Sequence, residues 1–164
     1  MQVSNKPNLD GSMLHLLHRA GQVADDLFAR EIAGSALTPR QFAVLVVLAQ
    51  KQTASQTDIV EATGVDRSTL ADIVRRLVER GLLARKRSKQ DARAYDVRLT
   101  ASGQSALKAA QPAVNRVEDQ LLKILPTAKR SDFIEALGQL VGSFAGRPPA
   151  VAAPTRGRSK SPRT

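Results

Sequence analysis

Residues 55–82 alternate apolar and polar positions in the manner of two short helices with a turn at Gly64 between them. In the second helix the apolar side chains recur at spacings of three and four residues, which is the period of one helical face. They are Leu70, Ile73, Val74 and Leu77. Gly81 follows, where a helix can end in a left-handed conformation that glycine adopts with little strain. The pattern predicts a helix–turn–helix, which can place its second helix in a DNA major groove.

Amphipathic stretches on both sides of this unit predict four more helices. The first begins near Ser12, ends before Gly34 and is about 20 residues long, a length that often serves an interface. The second begins at Thr38 and is apolar on several sides, so we expect it to be central and buried. The last two begin at Thr100 and after Pro126, and both carry apolar stripes.

The segment between the second helix of the motif and Thr100 predicts a β-hairpin. Residues 82–86 are mildly apolar, residues 95–99 alternate apolar and polar side chains, and the polar run 87–94 joins them. A hairpin directly after a helix–turn–helix is the wing of a winged helix. We therefore expect a two-stranded wing here.

Charge is concentrated in two parts of the chain, whose formal net charge is +10. Residues 81–100 hold six Lys/Arg against two Asp/Glu, and residues 146–164 hold five against none. This excess favours a polyanionic partner. Aromatic residues make up only 3% of the chain, which disfavours recognition of single strands by base stacking. We expect residues 1–11 to be a flexible arm and residues 146–164 a disordered basic tail. The tail either tethers DNA weakly, which its unopposed cations favour, or is simply a solvated end.

Several classes of protein are disfavoured by what the chain lacks. It has no cysteine, so disulfides, Cys-ligated zinc and thiol-based redox sensing are excluded. No apolar run approaches the roughly 20 residues needed to span a bilayer, and no secretory signal is evident. We find no nucleophile–base pair, phosphate loop or metal cluster. We therefore expect a soluble cytoplasmic protein that is not an enzyme and carries no cofactor.

Three motifs resemble the MarR (multiple antibiotic resistance regulator) family of winged helix-turn-helix transcriptional regulators. Residues 91–100, DARAYDVRLT, fit the family's wing signature D-x-R-x-x-x-x-x-L-T. Residues 65–70 and 77–82 fit its recognition helix and the exit from that helix. The resemblance covers about residues 12–145 and departs from the family at Asp72, where many members have a basic or small polar residue.

The resemblance implies a mainly α (α+β) fold and a homodimer. Residues 55–99 would form the DNA-binding helix–turn–helix and wing. Residues 12–33 and 100–145 would form the dimerisation helices. The apolar stripes of the terminal helices, which exceed what one winged helix needs, agree with this arrangement.

Candidate DNA contacts lie on the polar face of the recognition helix and on the hairpin. Arginine pairs well with guanine, and the carboxylate of Asp72 can accept from cytosine N4. Asp72 can instead pair with Arg75 or Arg76 on its own helix, and both arginines can contact phosphate or only solvent. The wing signature implies that Arg93 enters the minor groove. The predicted DNA-binding residues are Arg67, Ser68, Thr69, Asp72, Arg75, Arg76, Arg87, Lys89 and Arg93.

A second candidate site is for a small organic ligand. The resemblance implies pockets near the first, second and fifth helices, and ligands such as aromatic carboxylates or their thioesters. The candidate residues are His15, His18, Arg19 and Arg40. The two histidines are three residues apart on a polar helix face, where solvated or interface roles are the alternatives. They are too few for a metal site.

These features predict a homodimeric transcriptional repressor that binds double-stranded DNA. It would recognise a pseudo-palindromic operator with half-sites about 10 bp apart. A small organic ligand would release it by preferring the conformer that does not bind DNA. The alternative is an architectural DNA-binding protein with no effector, which would use the same cations of the wing and tail.

The wing signature generates a prediction for Arg93. Arg93→Ala should weaken binding to all duplexes and lower the salt slope of the affinity by about 1, because a minor-groove cation is lost. Arg67→Ala or Ser68→Ala should instead change the preference among half-sites. Fluorescence anisotropy titrations over a half-site panel and several salt concentrations measure both effects. If Arg93→Ala binds like the wild type, the wing assignment is wrong.

Overall fold

The computed structural model describes residues 9–32, 34, 37–87 and 95–144. It confirms the predicted mainly α fold and the predicted order of helices and hairpin. Residues 1–8 of the predicted arm, the hairpin tip with Lys89, Asp91 and Arg93, and the tail 146–164 lie outside the described residues. The elements are α1 (Met13–Glu31), α2 (Pro39–Lys51), β1 (Ala54–Ser55), α3 (Gln56–Thr63), α4 (Arg67–Glu79), β2 (Leu83–Arg87), β3 (Tyr95–Leu99), α5 (Ala101–Lys123) and α6 (Thr127–Phe144).

Side-chain caps determine where the first five helices begin. At the start of α2, the Gln41 N–H donates to Thr38 Oγ1 at 3.2 Å and the Thr38 N–H donates to Gln41 Oε1 at 3.1 Å. This reciprocal pair satisfies two N–H groups that would otherwise lack a partner. Ser55 and Asp58 form the same arrangement at α3. The N-cap residues are Ser12, Thr38, Ser55, Asp66 and Thr100.

The hairpin is part of a three-stranded antiparallel sheet in the order β1-β3-β2. Strand β1 pairs Ala54 with Val97. It was not predicted, because two residues are too few to show a strand period. Val97 and Leu99 of β3 are buried, whereas Tyr95, which shares their place in the alternation, is 51% exposed. Tyr95 pairs with Arg87 at the outer end of the hairpin, beyond the reach of the core.

Helix α2 lies at the centre of the core, as its apolar composition predicts. Val44 and Leu45 are fully buried, and Leu48 is 1% exposed. Buried side chains of α3, α4, the sheet and α5 pack around them. Burial of this aliphatic surface is the main favourable contribution to folding. The core therefore holds the helix–turn–helix, the wing and α5 as one unit.

Helices α1 and α6 leave most of their apolar surface uncovered within one chain. Phe28 is the one side chain buried from α1, and no residue of α6 between 127 and 143 is buried. An ion pair of 2.7 Å between Glu31 and Arg116 links the end of α1 to α5. The exposed apolar side chains on the two helices include Met13, Leu14, Leu16, Leu17, Val23, Phe133, Ile134, Leu137 and Val141.

Helix α4 ends in a turn that leads directly into the sheet. The Leu82 N–H donates to the Leu77 carbonyl at 2.9 Å, and the Gly81 N–H donates to the Val78 carbonyl at 2.9 Å. This pair of bonds is the Schellman motif, which requires a left-handed residue after the helix. Gly81 supplies it with φ of +70°, as the sequence predicts.

The Leu82 carbonyl joins this turn to the start of α5. It accepts from the Thr100 N–H at 3.1 Å and from Thr100 Oγ1 at 3.1 Å. Thr100 Oγ1 also lies 2.7 Å from the Gly81 carbonyl and accepts from the Gly103 N–H at 3.0 Å. A Cβ on Gly103 would overlap the Leu82 carbonyl oxygen. Helix α5 therefore approaches the end of α4 so closely that only glycine fits at position 103.

This close approach generates a prediction for Gly103. Gly103→Ala should lower the free energy of unfolding by about 1–3 kcal/mol, because backbone must move to admit the methyl group. Gly142→Ala is the control. Gly142 lies in α6, and apart from the backbone of its own helix no atom of the described residues lies within 4 Å of the position of a Cβ, so alanine should raise stability by up to about 1 kcal/mol. Urea unfolding followed by circular dichroism measures both, and equal effects would contradict the prediction.

Candidate nucleic-acid interface

The recognition helix α4 begins at an aspartate whose interactions are local. Asp66 Oδ1 accepts from the Thr69 N–H at 2.9 Å and from Ser68 Oγ at 2.6 Å. These hydrogen bonds, that of the Ser68 hydroxyl foremost, hold the pKa of Asp66 well below its usual value. The carboxylate also faces the positive end of the helix dipole. Asp66 is therefore an ionised cap that shapes the start of the helix.

The side chains after this cap face solvent. Arg67 and Ser68 are exposed and Thr69 is half-buried. The Ser68 hydroxyl donates to Asp66, so its oxygen remains free to accept a further hydrogen bond. Arg67 forms no ion pair with the residues that the structure describes. The start of α4 thus presents one cation and two hydroxyl groups.

One turn further along, Asp72 holds two arginines at once. Its Oδ1 lies 2.6 Å from Arg75 Nη2, and its Oδ2 lies 2.7 Å from Arg76 Nε. Arg75 Nη1 also contacts Glu79 Oε1 at 2.8 Å. The hydrogen bond from Arg75 and the charge of Arg76 lower the pKa of Asp72, and the hydrogen bonds to Asp72 and Glu79 raise the pKa of Arg75. The sequence alternative in which Asp72 pairs on its own helix is the one present here.

We call Asp72, Arg75, Arg76 and Glu79 the recognition-helix cluster. Two carboxylates balance two guanidinium groups, so the cluster carries no formal net charge. Its side chains are about half exposed, and ion pairs with this exposure contribute little to stability. The cluster matters more for the binding of an anion than for stability. When either arginine contacts an anion, it must leave Asp72 or carry Asp72 with it.

The hairpin adds a basic surface beside α4. The predicted phosphate contact Arg87 is exposed at the outer end of β2. Arg85, Lys86 and Arg98, which are not among the predicted DNA-binding residues, are also exposed on the two strands. The net positive charge of residues 81–100 indicated a basic surface here, but the alternation of side chains alone could not show which cations face solvent.

Among the described residues, the four predicted ligand residues do not line a common cleft. Arg40 lines a small cleft of about 370 Å³ with Asp25, Thr38 and Pro39. Of the other candidates, His15 is half-buried and His18 and Arg19 are exposed, and none of them lines that cleft. His15 precedes Asp25 by ten residues of helix, or roughly 15 Å along its axis.

In the described ranges, no group of three or more His, Asp or Glu side chains is arranged to hold a metal ion. None of the helices described combines the length and apolar character that a membrane crossing requires.

A family comparison places this geometry among known proteins. The family model described as MarR family matches residues 37–95. The HTH-type transcriptional repressor NicR of Pseudomonas putida is 30% identical over 129 residues, which are 79% of this chain and 82% of NicR. The chain belongs to the MarR family. This membership confirms the family and the role in transcription regulation that the wing signature predicts.

Solved structures of other regulators share the fold of this MarR family protein. BpsR of Bordetella bronchiseptica, studied for the regulation of its DNA binding by 6-hydroxynicotinic acid, is 29% identical with a TM-score of 0.79. The match covers 83% of this chain and 97% of BpsR. The transcriptional repressor CouR, bound to a 23-mer DNA duplex, is also 29% identical, with a TM-score of 0.76 and coverage of 85% and 99%.

The recognition-helix cluster generates a prediction for Asp72. Asp72→Asn should strengthen binding to nonspecific duplexes and raise the salt slope by about 1 to 2, one unit for each arginine that gains a phosphate contact. Discrimination between duplexes should fall accordingly. Titrations of specific and nonspecific DNA at several salt concentrations measure both quantities.

Glu79→Gln is the matched control, since it removes an equal charge from the same cluster seven residues later, away from the helix N-terminus that contacts bases. Its effect should be smaller. Weaker binding of Asp72→Asn to every duplex would show that Asp72 itself contacts DNA, contrary to this prediction.

Proposed function

We propose that this MarR family protein is a homodimeric transcriptional repressor that binds a pseudo-palindromic operator and is released by a small organic ligand. The observation that carries the proposal is the position of α4. The core holds its apolar face, while Arg67, Ser68 and Thr69 point away from the core beside a basic hairpin. A protein with this role acts on DNA in the cytoplasm.

DNA contacts divide by position on the winged helix. Arg67, Ser68 and Thr69 at the start of α4 are proposed to meet base edges, because recognition helices read bases with their N-terminal residues. The recognition-helix cluster lies alongside, with Arg75 and Arg76 available for bases or phosphate and Asp72 for cytosine. On the wing, Arg87 and Lys89 would hold phosphates and Arg93 would enter the minor groove.

Dimerisation is supported by the uncovered apolar surface on α1 and α6. Leu14 is 68% exposed and Val141 is 68% exposed, and side chains of this kind are normally covered in an assembly. A second copy would bury both helices and relate two α4 helices by a twofold axis. Two such helices read half-sites about one turn of DNA apart, roughly 10 bp from centre to centre.

Release by a ligand is supported by the cationic character of the candidate residues and by the regulation of a similar protein. DNA binding by BpsR is regulated by 6-hydroxynicotinic acid, an aromatic acid, and cations are the side chains that hold a carboxylate. We propose that His15, His18, Arg19 and Arg40 serve an aromatic acid or thioester in this protein. Because they are separate within one chain, a site that uses all four requires the dimer.

The second candidate function is an architectural DNA-binding protein without an effector. The exposed cations of the hairpin favour it, since they bind phosphate regardless of sequence. The polar start of α4 favours the repressor instead, because hydroxyl groups and an unpaired arginine can read base edges.

Selection from random duplexes distinguishes the two functions. The full-length protein should enrich one palindromic sequence and bind it about 1,000-fold more tightly than a scrambled copy at the same salt concentration. Sedimentation of the complex should give two protein chains per duplex. Equal affinities for the selected and scrambled duplexes would leave only the architectural function.

A further inference from the structure

A second cleft shares no lining residue with the small cleft at Arg40. Its volume is about 720 Å³, and it is bounded by the end of α2, the end of β3 and the first half of α5. Among the described residues none from α1 lines it, so it is distinct from the small cleft at Arg40. Volumes of roughly 300–1,000 Å³ are typical of small-molecule sites.

The cleft combines an apolar floor with two cations. Leu48 and Leu99 are buried and Leu107 is half-buried, whereas Arg98 and Lys108 are exposed. No acidic residue is found among the described residues that line it. Neither cation forms an ion pair within the described part of the chain. An anion entering the cleft would therefore meet two uncompensated positive charges above an apolar surface.

The wall formed by α5 is a single helical face. Gln104, Leu107, Lys108 and Gln111 follow one another at spacings of three, four and seven residues from the first, so they align along the cleft. Two amides therefore flank the cation and the leucine. Amides donate and accept hydrogen bonds, which suits polar substituents on a ligand.

The opposite wall contains an unusual backbone conformation. Gln52 has φ of +63° and ψ of −44°, and the Thr53 N–H donates to the Lys51 carbonyl at 2.7 Å. This is the rare γ-turn with positive φ. Within the described ranges no other residue except glycine has a positive φ. Strained residues persist where the surrounding structure imposes them, and they are concentrated at ligand clamps.

We propose that this cleft binds an organic anion with an apolar body. Arg98 and Lys108 hold its carboxylate, the three leucines contact its apolar part, and the glutamines at its edges, Gln52 among them, meet its polar substituents. Binding follows from the cleft alone and does not depend on the operator.

A consequence for DNA binding rests on the proposed function. Leu99 ends β3 and is followed by Thr100, which holds the Leu82 carbonyl at the exit of α4. A ligand that bridges Arg98 and Lys108 would contact the wing strand and α5 on both sides of that junction. It would release DNA if it favours a spacing of these elements that DNA does not.

Calorimetric titration of the full-length protein with 2-naphthoate and its uncharged amide, 2-naphthamide, tests the site. Naphthoate should bind at least about tenfold more tightly than naphthamide, because one hydrogen bond between charged groups accounts for such a ratio. Arg98→Gln and Lys108→Gln should each weaken naphthoate about tenfold and leave thermal unfolding unchanged. Lys123→Gln, an exposed cation near the end of the same helix, should bind as the wild type does.

Three results would overturn the proposal. They are no binding of naphthoate by the wild type, equal binding by the double variant Arg98→Gln/Lys108→Gln, or loss of binding in Arg40→Gln instead, which would place the ligand beside α1. Repeating the titration with the selected duplex present separates the two questions. Naphthoate binding that requires Arg98 and Lys108 supports the cleft even if the protein proves not to be a specific repressor.

Discussion

The relative arrangement of the recognition helix, the wing and α5 depends on the contacts of the Leu82 carbonyl. This carbonyl receives two hydrogen bonds from Thr100, and Gly103 packs against it so closely that no side chain fits between. The recognition helix ends at Glu79, three residues before Leu82, the first wing strand begins at Leu83, and α5 starts beside this carbonyl. A shift of α5 would therefore displace both surfaces that are proposed to face DNA, because a packed backbone contact transmits displacement with little slack.

The DNA-facing side of α4 is arranged around its two aspartates. Asp66 uses its carboxylate to cap the helix, and Asp72 uses both oxygens to hold Arg75 and Arg76. This part of the α4 surface is therefore locally neutral, and Arg67 is the cation at its start. Under the proposed function, nonspecific affinity would come mainly from the hairpin and discrimination from the helix. This division would suit a protein that leaves DNA when a ligand binds.

Many features could be predicted from local patterns. The capping residues, the period of α4 and the glycine at position 81 each act over a few residues, so the sequence is enough to reveal them. The MarR wing signature extended that reading to a fold. The two-residue strand β1, the exposure of Tyr95 and the dispersed positions of His15 and Arg40 could not be predicted, because each depends on how distant segments meet.

The sequence by itself determined the helices, their capping residues and the hairpin, since hydrogen bonds to neighbouring backbone and a helical period decide those features. Only the tertiary structure decided which charges are compensated and which apolar faces are left open. It paired Asp72 with both arginines, left Arg98 and Lys108 without an ion pair among the described residues, and gave α1 and α6 little to cover them. The physical reason is that burial and charge pairing depend on three-dimensional packing, which sequence spacing alone does not specify.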